Sequence, residues 1–214
     1  MDSLRRLEEI FARFPGIGPR QAKRFVYYIL SRSPSFAREL TQLIEEVRQA
    51  SSECERCHRF FTSKNAVPSP ICSICSNPSR DASLLMVVAR DSDFETVEKS
   101  GAYPGLYFIL GGTVPILDKE PEKRIRLASL LERIHAESAT IKEVILSMNA
   151  TPEGENTADI LKEAIGKIST ADPMDFSGEP SGVKVTFLGR GLSTGAELEY
   201  VDSDTIRNAL SNRK

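Results

Sequence analysis

Four cysteines, arranged as two C-x-x-C pairs, constrain the fold of this 214-residue chain more than any other feature. Cys54 and Cys57 form the first pair. Cys72 and Cys75 form the second after a spacer of fourteen residues, and the chain has no other cysteine. Two such pairs at this separation can each offer two thiolates to one tetrahedral zinc ion. The spacing therefore predicts one structural zinc site with four cysteine ligands.

Other interpretations of these cysteines are disulfides, unpaired core thiols or a redox site. Disulfides need an oxidising compartment, whereas the N-terminus has the pattern of a charged helix rather than a signal peptide, so we expect the protein in the reducing cytoplasm. A redox site of the thioredoxin type needs a βαβ pattern around one pair, and neither pair has it. His58 offers a substitute ligand, but four thiolates already fill the tetrahedron, so we expect it on the surface.

The composition is that of a globular protein whose charge is unevenly distributed. Residues 1–80 carry 13 Lys+Arg against 8 Asp+Glu, and the remainder carries 15 against 22. No apolar run approaches the roughly eighteen residues that a membrane span needs. We therefore expect no membrane association, and an anionic partner that meets the N-terminal part first.

The N-terminal part has helical periodicity. Apolar residues at helical spacing predict helices over 3–14, 20–31 and 35–50, with Ser3 as the cap of the first. Between the first two helices, Gly16 and Gly18 permit a tight turn with positive φ. Pro19 suits the first turn of the second helix. The pattern predicts a helix-hairpin-helix.

The chemistry of such a hairpin favours a phosphate ligand. A glycine-rich turn lets the backbone approach a phosphate closely, and the free N–H groups of the second helix receive the anion. Arg20, Lys23 and Arg24 lie near the start of that helix. Because no base-reading side chain is evident, we expect sequence-independent contact with the DNA backbone. The alternative is a helical hairpin that serves packing or self-association.

Beyond residue 80 the pattern changes to alternating strands and helices. Apolar runs of strand length lie at 83–89, 106–110, 144–147 and 183–188, separated or followed by helical patterns at 93–100, 123–135, 157–168 and 206–210. This alternation predicts an α/β fold with an open, mostly parallel sheet flanked by helices. His135 lies in one of these helices, and we assign it no function.

The turn after the third run, Asn149-Ala-Thr-Pro-Glu-Gly-Glu155, resembles the metal-binding turn of Toprim domains, Asp-x-Asp-x-Glu-Gly-Glu. Asn149 and Thr151 stand where the aspartates would be, and Ala89 stands where the glutamate at the end of the first strand would be. Only Glu153 and Glu155 remain, whereas magnesium chemistry on phosphates needs several carboxylates. Asp91 and Asp93 are poor replacements. We expect a Toprim scaffold without catalysis, and whether it binds Mg²⁺ stays open.

The order of helix-hairpin-helix, four-cysteine module and Toprim-like domain resembles the bacterial RecR family of recombination mediators over nearly the whole chain. The segments that carry the resemblance are Phe14-Pro-Gly-Ile-Gly-Pro-Arg-Gln-Ala22, Cys72-Ser-Ile-Cys-Ser-Asn-Pro78, Glu153-Gly-Glu-Asn-Thr-Ala158, Arg190-Gly-Leu and Gly195-Ala-Glu-Leu-Glu-Tyr-Val-Asp202. We expect a helix-hairpin-helix domain at 1–52, a zinc finger at 53–80, a Toprim-like domain at 81–180 and a C-terminal segment at 181–214 that completes the sheet and an interface.

The resemblance implies a repair protein that is not an enzyme. Members form ring-shaped tetramers that can encircle DNA, and with RecO or RecF partners they help to load the RecA recombinase at gaps coated by single-strand-binding protein. It implies DNA contact by Lys23 and Arg24, with Arg20, and zinc ligation by the four cysteines. Two alternatives remain. One is a Mg²⁺-dependent nuclease, primase or topoisomerase-like enzyme that uses Glu153 and Glu155 with Asp91 or Asp93, and the other is an oligomeric scaffold that does not bind DNA.

The chain departs from the family pattern on the Toprim side. Relatives usually have glutamate at Ala89, Ser-Pro-Leu near Pro115-Ile-Leu117, and proline near Ala150 and at Ser193, and their loop between the cysteine pairs is shorter. These differences mark a divergent member and bear on partner docking and metal binding at the Toprim face. They leave the hairpin and the zinc ligands unchanged.

Overall fold

The computed structural model describes residues 2–62, 69–118, 120–169, 182–189, 191–193 and 195–211. Residues 63–68 of the loop between the cysteine pairs, the expected domain boundary between 180 and 181, and Arg190 lie outside this described part. The chain forms two compact units that divide near Ser52.

The first unit consists of three helices, α1 (Ser3–Phe11), α2 (Pro19–Leu30) and α3 (Pro34–Ala50). Asp2, not Ser3, caps α1, since its carboxylate accepts a hydrogen bond from the Leu4 N–H at 3.2 Å. The helix ends three residues earlier than predicted, because the Phe14 N–H donates to the Phe11 carbonyl at 3.1 Å and tightens the chain into a turn.

The core of this unit is small. Among its described residues only Ala22 and Val26, both on α2, are buried. The Phe11 ring packs against Phe14 and Phe25 at centroid distances of 5.5 and 5.9 Å. Many large apolar side chains of the three helices therefore remain exposed within a single chain.

The second unit is built on a parallel sheet. The short strands β1 (Ser51–Glu53) and β2 (Phe60–Thr62) form a separate two-stranded sheet. Four longer strands form the main sheet in the order β4-β3-β5-β6, and all their pairings are parallel. They are β3 (Asp81–Val88), β4 (Gly105–Ile109), β5 (Glu143–Ser147) and β6 (Lys184–Phe187). The predicted α/β class with a parallel sheet is confirmed.

The helices of this unit follow the strands. They are α4 (Asp91–Ser100), α5 (Leu127–Ala136), α6 (Pro152–Ser169) and α7 (Ser203–Ser211), with 3-10 turns at Pro121–Lys123 and Leu198–Tyr200. α5 begins four residues later than the predicted helix 123–135, because the 3-10 turn Pro121–Lys123 includes the first residue of that segment. α6 begins five residues earlier, since Pro152 suits a first helical position and the acidic residues after it suit the helix N-terminus.

Alternate residues of β3 and β4 bury opposite faces of the sheet. Leu85, Val87 and Phe108 pack on one face with the apolar residues of α5 and α6. Met86, Val88 and Tyr107 pack on the other face with Phe94 of α4. Both faces are covered, which explains why these strands have continuous apolar runs instead of alternation.

Gly154, in the first turn of α6, is packed against the loop that follows β5. A Cβ atom on Gly154 would overlap the carbonyl oxygen of Asn149. Packing is therefore sufficient to explain why glycine stands at position 154 of the Toprim-like motif.

We predict that Gly154→Ala lowers the free energy of unfolding by about 1–3 kcal/mol, because the added methyl group displaces backbone. Gly166→Ala on the same helix is the matched control. A Cβ there meets nothing within 4 Å, so we expect it to stabilise the protein by about 0.5–1 kcal/mol through helix propensity. Denaturant unfolding measures both, and equal effects of the two substitutions would contradict the packing role.

Candidate metal centre and nucleic-acid interface

The four cysteines converge as the spacing predicts. All four are buried, carry no disulfide, and place their sulfur atoms within 4.8 Å of one another. The Cys57 and Cys72 sulfurs are 3.6 Å apart. A tetrahedral site with metal–sulfur bonds of about 2.3 Å has sulfur–sulfur edges of about 3.8 Å, whereas a disulfide is about 2.0 Å long. The donor set therefore fits a metal ion.

The backbone around the cysteines forms two similar turns. The His58 N–H donates to the Cys54 carbonyl at 2.8 Å, and the Ser76 N–H donates to the Cys72 carbonyl at 3.1 Å. His58 has a positive φ of 61° at the tight point of the first turn. The Cys72 N–H points at the Cys54 sulfur at 3.3 Å. Such N–H groups partly neutralise thiolates, which favours a charged, metal-binding state.

The crowding of the thiols changes their pKa values. Hydrogen bonds with Cys57, Cys72 and Cys75 lower the pKa of Cys54, while hydrogen bonds with Cys54 raise the pKa of Cys57 and of Cys75. The hydrogen bond with Cys54 raises the pKa of Cys72, but those with Cys57 and Cys75 outweigh it and bring the pKa to about 6. Without a cation the four sulfurs compete for protons, and a bound metal ion would stabilise all four as thiolates.

The cysteine module is bonded to the edge of the main sheet. The Ile109 N–H of β4 donates to the Cys57 carbonyl at 2.8 Å. The buried guanidinium of Arg133 on α5 donates to the carbonyls of Arg56 and Tyr107, each at 2.8 Å. These bonds cover the edge of β4 with the turn that carries the first cysteine pair.

A charged network supports the same contact. Arg56 donates two hydrogen bonds to the carboxylate of Glu137, at 3.0 and 2.9 Å, and a third to the Cys75 carbonyl at 3.1 Å. Burial alone would raise the pKa of Glu137, but the hydrogen bond from Arg56 and the charges of Arg56 and Arg133 hold it below its ordinary value. No sequence motif marks Arg56, Arg133 or Glu137. Arg133 and Glu137 are spaced as a helical ion pair, but Arg56 precedes Glu137 by 81 positions, and nothing local links them.

His58 does not belong to the group of four possible metal ligands. We expected it on the surface, but its side chain contacts two other residues. Its ring packs edge-on against Phe108 at 5.2 Å, and its Nδ1 is 2.9 Å from the Glu53 carboxylate. The histidine therefore helps to fix the cysteine module against the main sheet.

We predict that chelation of the bound metal, or Cys57→Ser, unfolds the module and exposes the edge of β4. The amide of Ile109 should then lose most of its protection against hydrogen exchange, because its acceptor belongs to the Cys57 turn. Ser76→Ala, next to Cys75 but outside the ligand set, is the control and should keep that protection. A chelated protein with unchanged melting and unchanged exchange at Ile109 would rule out a structural metal.

The basic residues of α2 lie together. Arg20, Lys23 and Arg24 are all exposed and line one shallow groove. The same groove is lined by Gln21, Phe25, Tyr27, Tyr28 and Ser31. Helix α2 contains no acidic residue, so the groove is a positively charged surface with exposed aromatic rings.

The two glycines of the hairpin differ in their roles. Gly16 has a φ of 75°, as the tight turn requires. Gly18 has a φ of −82° and is the extended N-cap of α2, so the expectation of positive φ is wrong for this residue. A Cβ at Gly18 would meet nothing within 4 Å. Neither conformation nor internal packing requires glycine there, and its small size leaves the N-terminus of α2 open to a ligand.

The Toprim-like acidic residues do not converge. Glu153 and Glu155 are exposed in the first turn of α6. Glu155 lines a pocket of about 450 Å³ with Asp202 and Asp204, but Asp202 caps α7 by accepting from the Asp204 and Thr205 N–H groups at 3.0 and 2.9 Å. Within the described part of the chain, the cysteines are the only group of three or more Cys, His, Asp or Glu close enough to share a metal.

The other residues near this motif have structural contacts. The Thr157 hydroxyl accepts from the Val114 N–H at 2.8 Å, and the Asn156 amide donates to the Val114 carbonyl at 3.1 Å. Asp91 accepts from the Phe60 N–H, and Asp93 from the Arg90 N–H, each at 3.0 Å. Ala89, at the end of β3, is buried. Asn156 and Thr157 therefore fix the loop after β4.

Comparison with known proteins agrees with this architecture. Residues 83–188 match the Toprim domain model, so the chain is a Toprim-domain protein. Residues 4–48 match the RecR helix-hairpin-helix model, and residues 191–214 match the RecR C-terminal model. No helix in the described part of the chain is long and apolar enough to span a membrane.

Relatives cover almost the full length. The chain is 35% identical to a protein of Bifidobacterium longum subsp. infantis named Recombination protein RecR, over 99% of this chain and 96% of the relative. Proteins of the same name from Chloroflexus aggregans and Cereibacter sphaeroides are each 36% identical, over 98% and 99% of this chain and 92% and 96% of the relatives. The chain therefore belongs to the RecR family, and the resemblance identified from the motifs is confirmed.

Proposed function

We propose that this protein is a non-catalytic, DNA-binding mediator of recombinational repair in the cytoplasm. In this proposal it forms a ring-shaped tetramer that acts as a clamp and works with RecO- or RecF-type partners to load a recombinase at gapped single-stranded DNA. Family membership supports the role in recombination, since the curated relatives are named recombination proteins. The observation that carries the DNA-binding step is the basic face at the start of α2.

That face suits a phosphate backbone. Arg20, Lys23 and Arg24 project from the first two turns of α2, and the helix leaves its first N–H groups without intrahelical acceptors. The open space at Gly18 allows a phosphate to approach these groups. Positive charge, free donors and access together favour binding through phosphates, with little dependence on base sequence.

The proposed metal is one structural zinc ion per chain, bound by Cys54, Cys57, Cys72 and Cys75. Four thiolates favour zinc among the common cations, and a fully protein-bound tetrahedron has no open position for substrate. Zinc would hold the module closed, and the contacts of Cys57 and Arg56 then keep it on the sheet.

Absence of catalysis is the second part of the proposal. Phosphoryl chemistry with Mg²⁺ needs converging carboxylates. Glu153 and Glu155 lie on an exposed helical turn, and Asp202, which lines a pocket with Glu155, serves as the cap of α7. Ala89 offers no carboxylate at the end of β3. The geometry therefore supports a Toprim domain without catalysis, and residual Mg²⁺ binding at Glu153 and Glu155 is not needed for the proposed role.

Assembly is supported by the exposed apolar side of α3. No residue of this helix is buried. Leu43, Ile44 and Val47 lie along one stripe and are 50%, 60% and 61% exposed. An amphipathic helix with an uncovered apolar stripe is typical of an interface. A second copy of the chain, packed stripe to stripe, would cover it.

We predict that binding to a fluorescent oligonucleotide weakens steeply as salt rises, because each neutralised phosphate releases counterions. Lys23→Ala with Arg24→Ala should reduce affinity at least about tenfold at low salt and reduce the log–log salt slope by about two. The matched control is Arg5→Ala with Arg6→Ala, which removes the same charge from exposed positions of α1 and should have a much smaller effect.

The same titration tests the alternatives when Mg²⁺ is present and the DNA is recovered. Cleaved DNA, with cleavage lost in Glu153→Gln, would replace the mediator with an enzyme. Wild-type protein that binds no DNA at any salt concentration would favour a scaffold.

For assembly, we predict that Val47→Glu weakens self-association at least about tenfold, because a carboxylate loses its hydration in an apolar interface. Gln49→Glu adds the same charge to an exposed position two residues away and should leave association unchanged. Light scattering over a concentration series gives the mass of each variant. Identical masses for Val47→Glu and wild type would exclude this stripe as the interface.

A further inference from the structure

The groove on α2 contains aromatic rings that phosphate binding does not use. Tyr27 and Tyr28 follow Lys23 and Arg24 by four positions each, so each ring lies one helical turn, about 5.4 Å, beyond a cation. The two side chains are 52% and 49% exposed. They line the same groove as the three cations.

The rings are held in place by neighbouring side chains. The Arg32 guanidinium lies over the Tyr28 ring at 4.3 Å, and the Phe36 ring meets Tyr28 edge-on at 6.1 Å. The Lys23 ammonium is 5.9 Å from the centre of the Tyr27 ring. Tyr28 thus has two side-chain contacts and Tyr27 has one, and about half of the surface of each residue stays exposed to a flat ligand.

This combination distinguishes single-stranded from duplex DNA. A duplex presents phosphates to a basic helix but keeps its base faces stacked inside. A single strand presents both, and each base that stacks on an aromatic side chain strengthens binding about fivefold or more. Exposed tyrosines next to cations are thus useful for a single strand and have little effect on a duplex.

Resting on the proposed DNA-binding role of α2, we propose that this groove binds single-stranded DNA, with bases stacked on Tyr27 and Tyr28. The flanking phosphates then lie against Arg20, Lys23 and Arg24. Stacking does not depend on which base is present, so this mode keeps the expected indifference to sequence.

The test compares three probes of equal length: an oligo-dT strand, an abasic strand with the same phosphates, and a duplex. The wild type should bind oligo-dT at least about tenfold more tightly than the abasic strand, since two stacked bases are involved. Tyr27→Ala with Tyr28→Ala should remove that difference and leave duplex affinity within about twofold, because the phosphate contacts remain. Tyr27→Phe with Tyr28→Phe keeps both rings and should behave like the wild type.

A variant without aromatic rings and a measurement of mass serve as controls. Tyr27→Leu with Tyr28→Leu keeps apolar bulk without a ring and should lose the preference as the alanine variant does. Light scattering should give every variant the mass of the wild type.

Several outcomes would overturn the proposal. Salt-sensitive binding that depends on Lys23 and Arg24 but is equal for oligo-dT and the abasic strand would reject stacking and leave the DNA-binding role intact. Binding of none of the probes would reject the DNA-binding role, and this inference with it. Altered mass in the alanine and leucine variants, with equal losses for all three probes, would make the tyrosines a contact between copies.

Discussion

The convergence of four buried thiols is the constraint on which the second unit depends. The cluster buried in the cysteine module contains the four cysteines, with only Phe61 and Ile74 packed against it among the described residues. Such a segment buries too little apolar surface to fold alone, and thiols this close compete for protons. A bound cation removes both difficulties, because it replaces the missing core and stabilises the thiolates. The proposed zinc is therefore part of the fold.

A metal ion at the four cysteines would act beyond its ligands through two peptide carbonyls. The Cys57 carbonyl accepts from Ile109 on the edge strand β4, and the Arg56 carbonyl accepts from the buried Arg133. An exposed edge of a parallel sheet is open to pairing with other chains. The module covers that edge and so protects β4 from pairing with other chains. The side chains of β4 pack into the apolar clusters on both faces of the sheet. The groove of α2 that we propose as the DNA-binding surface belongs to the other unit, and its determinants would be charge, open backbone and aromatic rings.

The sequence predicts much of this structure for clear physical reasons. Parallel strands that are buried on both faces have uninterrupted apolar runs, and this explains why the sequence predicts β3 and β4. β5 and β6 are less buried but also have apolar runs of strand length, whereas the order of the four strands in the sheet is not encoded locally. The cysteine spacing predicts the metal centre. Helix caps and the backbone conformation of turns are harder to predict from sequence. Asp2 caps α1 in place of Ser3, and Gly18 does not need positive φ. The network of Arg56, Arg133 and Glu137 could not be predicted, since its members are distant in sequence. Packing against Asn149 explains Gly154 without any metal, and hydrogen bonds with Val114 likewise explain Asn156 and Thr157.

The most direct test of this account is X-ray absorption spectroscopy at the zinc edge on the purified protein, together with its metal content. The account predicts one zinc per chain, surrounded by four sulfur atoms at about 2.3 Å and no nitrogen or oxygen ligand. Protein that folds with no metal, or a zinc ion with nitrogen or oxygen ligands such as His58, would contradict the four-thiolate centre and the dependence of the module on it.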